Sequence, residues 1–196
     1  MVHGDDYLCT GDESQLLWLE SSLKSRYEIK SVMLGGGKDD EQEMRVSNRI
    51  ITWTPQGIAY EPDQRHVEII LNELALENAK PVNTPWCTET QAREEDNTSL
   101  EGSEATKFRS IIARANYLAM DRPDIQFTVK EISRNMAKPN KGCWGKLKRL
   151  GRYLKGRGRL RWMFKWQDED DRLKVFSDSD WARCKATRRS TVAGVI

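Results

Sequence analysis

The chain has 196 residues, 38% of them hydrophobic and 32% charged, enough for one domain and part of another. No run of about eighteen apolar residues occurs, which excludes a transmembrane helix, and the start Met-Val-His-Gly-Asp-Asp lacks the apolar stretch of a signal peptide. The expected setting is therefore intracellular, cytoplasmic or nuclear, with no membrane partner. The net charge of +2 hides an asymmetry: residues 1–100 carry 9 Lys/Arg against 19 Asp/Glu, a net of −10, while residues 101–196 carry 23 against 11, a net of +12. A C-terminal half that basic points to a polyanion partner, because phosphate binding is driven by released counterions.

In chain order, Val2-His3 and Tyr7 to Thr10 read as short strands around a Gly4-Asp5-Asp6 turn. Asp12 or Ser14 then caps a predicted helix to about Arg26, with Leu16, Leu19, Leu23 and Tyr27 at helical spacing and Trp18 at the edge. A strand is predicted from Tyr27 to Leu34, then a polar, glycine-rich, acidic loop to Glu43. Arg45 to Thr54 alternates as one β stretch; Thr54-Pro55-Gln56-Gly57 turns it and Ile58 to Tyr60 returns. A helix starting at Pro62-Asp63 places Val67, Ile70, Leu71 and Leu74 on one face. Lys80 to Gly102 lacks periodicity and reads as a linker. Helices follow over 104–120, 122–136 with Pro123 in its first turn, and 141–155. Leu160 to Trp166 alternates as a strand, Gln167 to Asp171 is a charged turn, and Leu173 to Phe176 is a further strand. No repeat of 20–50 residues is present, which excludes a solenoid.

The cysteines Cys9, Cys87, Cys143 and Cys184 stand far apart, with only His3 and His66 to join them. Zinc needs clustered ligands, so they are expected as packing residues or free thiols.

Three features carry chemistry. Asp5 and Asp6 sit at a hairpin turn, where one carboxylate can face a metal while its neighbour supports the ligand shell. Two-metal phosphoryl transfer holds hard cations about 4 Å apart, so at least one further carboxylate must come from elsewhere in the fold. The second feature is the stretch Trp144 to Lys155. Trp144, Leu147, Leu150 and Leu154 form an apolar stripe, while Lys148, Arg152 and Lys155 line another face beside Lys146 and Arg149, and Arg157 extends the charge. Between Pro123 and Gln167 the only acids are Asp124 and Glu131, so this row suits a phosphate backbone better than a self-neutralised surface. The third is Val175-Phe176-Ser177-Asp178-Ser179-Asp180, where the two acids share a face if the strand continues.

The order of these features resembles the Pol polyprotein of copia-type retrotransposons. His3-Gly4-Asp5-Asp6 is similar to the family's Y-V-D-D palm motif, with His3 and Gly4 in place of the usual tyrosine and valine. The hairpin Arg49 to Tyr60 and the helix after it resemble the segment that holds the primer terminus and enters the thumb. Lys80-Pro81-Val82-Asn83-Thr84-Pro85 is similar to its K-P-x-x-T-P linker. Tyr117-Leu118-Ala119 and Arg122-Pro123-Asp124-Ile125 resemble its Y-L-A…R-P-D-I element. Leu150-Gly151-Arg152-Tyr153-Leu154-Lys155-Gly156 resembles L-R-Y-L-K-G. Ser177-Asp178-Ser179-Asp180-Trp181-Ala182 with Arg188-Arg189-Ser190-Thr191 is similar to the opening of its ribonuclease H.

The resemblance implies an α+β fragment: a partial reverse-transcriptase palm, a helical thumb or connection, and the first strands of a ribonuclease H-like domain. Its segments are 1–79 (palm end, primer-grip-like hairpin, start of thumb), 80–103 (linker), 104–158 (helical thumb or connection) and 159–196 (connection strand and ribonuclease H start). It implies Mg²⁺-dependent nucleotidyl transfer and cleavage of RNA in hybrids. Asp5 would be a metal-ligating polymerase aspartate, Asp6 its neighbour, and Asp178 the first ribonuclease H metal carboxylate. The partners implied are an RNA–DNA or DNA template–primer duplex and the remainder of the polyprotein. Both active sites are expected to be incomplete in this chain, with no polymerase or nuclease activity in isolation. The competing expectation is a non-enzymatic nucleic-acid-binding remnant.

Overall fold

The computed structural model describes residues 2–3, 6–86, 97–167, 173–182 and 187–195, with the side chains of 2, 3 and 6 left undescribed. The chain divides into two compact units, Met1–Phe164 and Lys165–Ile196. Helices and antiparallel strands alternate in blocks, an α+β architecture.

The first unit opens with a two-stranded hairpin, β1 (Val2–His3) and β2 (Asp6–Tyr7), in which His3 lies opposite Asp6. Helix α1 (Glu13–Lys24) follows Asp12, which occupies the cap position but makes no side-chain cap bond. The helix fully buries none of its residues, so the Leu16-Leu19-Leu23 stripe is patterned yet only partly covered, and Trp18 is 70% exposed. The predicted strand from Tyr27 to Leu34 does not form. Tyr27 and Val32 are exposed and no neighbouring strand supplies a ladder; only Leu34 makes an isolated bridge, to Glu41. A strand with neither partner nor cover has no source of stability in water.

The stretch read as one strand over Arg45–Thr54 is two. β3 (Glu43–Val46) and β4 (Arg49–Thr54) pair antiparallel across Ser47 and Asn48, both with left-handed backbone (φ 48 and 65). A two-residue turn with both central residues at positive φ matches the twist of a hairpin. β5 (Gly57–Glu61) then returns along β4 through the predicted turn, with Thr54 opposite Gly57. With β6 (Trp162–Lys165) the sheet order is β3-β4-β5-β6.

Four helices build the core: α2 (Arg65–Glu73), α3 (Gly102–Ala119), α4 (Pro123–Ser133) and α5 (Lys141–Gly156). Their apolar stripes converge, burying Val67, Ile70 and Leu74 of the α2 region with Phe108 and Ile112 of α3, Ile125 and Val129 of α4, and Leu147, Leu150 and Leu154 of α5. Each such side chain contributes roughly 1.5–3 kcal/mol of burial, the term that fixes helices this short. Pro123 stands at the start of α4, where its missing N–H costs nothing, and Asn140 caps α5 by accepting from the Cys143 N–H at 2.9 Å. Cys143 is a buried packing residue and Cys9 an exposed free thiol; Cys87 and Cys184 lie outside the described residues.

Polar ties lock the sheet and helices together. Arg122, only 1% exposed, grips Asp124 with two bonds of 2.9 and 2.8 Å and donates to the carbonyls of Arg157 (3.0 Å) and Gly158 (3.4 Å). The Tyr153 hydroxyl donates to the same Asp124 carboxylate at 2.9 Å. Nearby, Asp121 accepts from Arg49 (2.9 Å) and Tyr60 (2.7 Å), and buried Glu61 is clamped by Arg159 with two bonds of 2.8 Å.

In the second unit β7 (Phe176–Ser179) pairs antiparallel with β8 (Val192–Val195), and every residue of both strands is exposed. β7 begins where the predicted strand Leu173–Phe176 ends, because the ladder opens only at the Phe176–Val195 pair. The charged turn predicted over Gln167–Asp171 lies mostly outside the described residues.

Candidate nucleic-acid interface

Helix α5 carries six Lys/Arg and no Asp/Glu. Its apolar stripe faces the core as its spacing predicts, with Leu147, Leu150 and Leu154 fully buried and Trp144 packed against them. The cationic side has two different surroundings along the helix.

Toward the C-terminal end an extended segment, residues 77–86, runs antiparallel along α5. Lys155 donates to the Glu77 carbonyl, Arg152 to the Lys80 carbonyl at 2.7 Å and Arg149 to the Thr84 hydroxyl at 2.8 Å. Lys146 sits over the Trp86 ring, 5.4 Å from its centroid, and Trp86 meets Phe127 of α4 edge-on at 5.7 Å. The helix makes room for this strap with glycine: a Cβ at Gly151 would come within 2.6 Å of Leu76 and 2.8 Å of Leu74, and one at Gly156 within 2.9 Å of Pro81. The strap partners are neutral carbonyls, a hydroxyl and a ring face. They engage donors without cancelling charge (the Arg149 Nε stays buried without a hydrogen-bond partner among the described residues), so the field of the helix persists.

Toward the N-terminal end Lys141, Gly145 and Lys148 are exposed. Among the described residues no carboxylate pairs with Lys141 or Lys148; Asp124 is held by Arg122, and Glu131 by Lys130 and Arg134. Arg157 is exposed just past the helix, its carbonyl taken by Arg122. Of the six cations read from the sequence, the structure thus engages Lys146, Arg149, Arg152 and Lys155 with the strap and leaves Lys148 and Arg157 at the surface. Lys141 was missed because the apolar stripe draws attention to residues after Trp144; its i, i+7 relation to Lys148 was the available signal.

The aspartates are placed more sparsely. Asp6 lies in β2, its side chain undescribed, and Asp5 lies outside the described residues. Asp178 is exposed on β7 opposite Ala193, one carboxylate oxygen accepting from the Ser179 N–H at 2.9 Å. Asp180 turns instead to accept from the Thr191 N–H at 3.0 Å. Among the described residues no three His, Cys, Asp or Glu side chains converge to hold a metal, so by themselves they do not fit a Mg²⁺ pair. Nor is any helix among them long and apolar enough to cross a membrane.

Titration follows the same division. Arg159 hydrogen bonds hold the Glu61 carboxyl below its ordinary value. Burial pushes Asp124 up, but the Arg122 guanidinium and the Tyr153 hydroxyl pull it below the usual carboxylate range. Both groups belong to the structural ties.

Comparison with known proteins returns retrovirus-related Pol polyproteins of plant transposons and uncharacterized mitochondrial proteins. The chain is 30% identical over 93% of its length to the retrovirus-related Pol polyprotein from transposon RE2 of Arabidopsis thaliana, and 30% identical over its full length to that from transposon RE1. It is also 28% identical, over 97% of its length, to an uncharacterized mitochondrial protein of the same plant. It spans 75% of that mitochondrial protein but only 12% and 13% of the two polyproteins. No family model and no solved structure matches.

Proposed function

Because the chain is homologous along nearly its whole length to retrovirus-related Pol polyproteins of copia-type transposons, we propose that it is the part of such a polyprotein that handles the template–primer duplex. In this reading residues 1–79 are the end of a reverse-transcriptase palm with its primer-holding hairpin. Residues 80–103 link it to a helical thumb or connection (104–158), and 159–196 open a ribonuclease H. The observation that carries the proposal is α5: six cations, no carboxylate, and an apolar face buried in the core, with Lys141 and Lys148 exposed and the other four cations held by uncharged partners. Such a surface binds phosphate backbones without reading sequence. Lys146, Lys148, Arg149, Arg152, Lys155 and Arg157 supply its field.

Asp5 and Asp6 at the start of the sequence and Asp178 on β7 are proposed as carboxylates of the polymerase and nuclease centres. Mg²⁺ then requires further carboxylates beside them, since the described residues bring no three acids together. A second reading, carried by the cationic helix α5 alone, is that this chain binds nucleic acid without performing chemistry on it.

Fluorescence anisotropy of a labelled RNA–DNA hybrid, titrated with the 196-residue chain across a KCl series, tests the first claim. Affinity should fall steeply with salt, the log–log slope being roughly −0.9 per phosphate neutralised on a duplex. A chain that leaves the hybrid free at low salt would refute a nucleic-acid role. Primer extension with Mg²⁺ separates the two readings: no extension is expected from this chain, and measurable synthesis would assign polymerase chemistry to it directly.

A further inference from the structure

Helix α5 holds four glycines, and the surroundings of three of them, Gly145, Gly151 and Gly156, differ. Gly151 and Gly156 are demanded from inside, since a Cβ at either would collide with Leu74, Leu76 or Pro81. At Gly145 a Cβ would meet nothing within 4 Å. A glycine inside an exposed helical turn costs about 1 kcal/mol relative to alanine, so this position carries a penalty that no packing among the described residues requires. The bare patch is flanked on the same face by Lys141, one turn before, and Lys148, one turn after, both exposed.

We propose that this outward face of α5, Lys141-Gly145-Lys148, is where a nucleic-acid phosphate backbone seats directly against the helix. The inference rests on the nucleic-acid reading of α5 and sharpens it. Arg149, Arg152 and Lys155 contribute field while their donors hold the strap. The two lysines at the head of the helix are exposed and pair with no carboxylate among the described residues, and the missing side chain between them lets a phosphate approach the helix surface more closely. Lysine acts here as a point charge, which suits a backbone contact indifferent to base identity. An apolar partner fits poorly between two exposed ammonium groups, whose burial it would leave uncompensated. The other polyanion at hand is the acidic N-terminal half of a second copy, with its net of −10 over residues 1–100.

The test uses the full chain and the labelled RNA–DNA hybrid in KCl from about 50 to 200 mM, a range over which phosphate contacts change affinity strongly. Lys141→Ala/Lys148→Ala should lower the salt slope by about two, one for each lost phosphate contact. Lys30→Ala/Lys38→Ala removes the same charge from the N-terminal half and should leave the slope unchanged. Gly145→Gln, uncharged and a better helix former, should weaken binding about tenfold, as when one good contact is lost, without lowering the melting temperature. Wild-type affinity and slope in both Gly145→Gln and Lys141→Ala/Lys148→Ala would overturn this seat while leaving a duplex-binding α5 in place. If the unsubstituted chain ignores the hybrid, the broader reading fails first and this one with it. Dimerisation in sedimentation, abolished by Lys141→Ala/Lys148→Ala in a chain that does not bind hybrid, would replace nucleic acid with a second copy as the occupant.

Discussion

The helical body and the β7/β8 hairpin both carry acidic motifs, and they use them in opposite ways. In the body, Asp124 is covered, gripped by Arg122 and capped by Tyr153. On the hairpin, Asp178 stands exposed with one backbone N–H for company. Side chains that look alike in sequence are thus divided by burial: one carboxylate is consumed by holding the fold, while the other is left available to something outside it. A charged motif is informative about chemistry only once its internal partners are known.

Removing Arg122 should give the largest contrast. Arg122→Ala strands a partly buried Asp124 carboxylate and leaves two carbonyls, of Arg157 and Gly158, without their donor. Breaking a buried pair from one side costs about 3–5 kcal/mol, so the urea midpoint should fall sharply or the chain should fail to fold. A loss under about 1 kcal/mol, the range of ordinary surface pairs, would mean that this node is no firmer than the surface and would erase the contrast.

Overpacking the strap comes next. Gly151→Ala forces a methyl into the side chains of Leu74 and Leu76 and should cost about 1–3 kcal/mol despite alanine's better helix propensity. Thermal melting of Gly151→Ala beside Gly145→Ala reads the two surroundings within one helix, and opposite signs are expected. If both stabilise, residues 74–76 are not held against α5.

The pH dependence should sharpen the division further. Asp124 and Glu61 have folded values held below their ordinary ones. Each therefore contributes stability that is present above the unfolded carboxylate range near pH 4 and is lost as pH falls through the depressed folded value. Tyr60 runs the other way: burial and its bond to Asp121 push it up to about 12, so its contribution is intact below about pH 10 and is lost as pH rises through 12. Urea titrations at stepped pH should show both edges, and Tyr60→Phe should blunt the alkaline one.

Much of the body was legible in the sequence because helical periodicity and burial agree there. Val67, Ile70, Leu147, Leu150 and Leu154 were assigned to inner faces by spacing, and all are buried. What failed was short, polar and dependent on partners. The Ser47-Asn48 turn is easily read through, although Ser47, Asn48 and Arg49 interrupt the alternation with three polar residues in a row and asparagine tolerates the left-handed backbone found there. Tyr27–Leu34 has strand-like composition but no neighbour to pair with. At the candidate site, the cationic face of α5 could be read from residue types. That four of its cations would clasp residues 77–86 could not, because a carbonyl acceptor leaves no trace in a sequence.

The smallest expected effect closes the comparison from the other side. Asp178→Asn keeps an oxygen that can accept from the Ser179 N–H and removes only a charge at an exposed position of β7. Surface substitutions of this kind stay within about 0.5 kcal/mol, so melting and urea midpoints should match the unsubstituted chain. Asp124→Asn, the same substitution within the body, removes the charge that Arg122 grips and should destabilise by several-fold more. Equal effects from the two would mean that Asp178 also holds structure, and its exposure could no longer be taken as availability for a metal. Unequal effects leave Asp178 as a carboxylate with no structural duty, which is the condition a ligand awaiting its partners must meet.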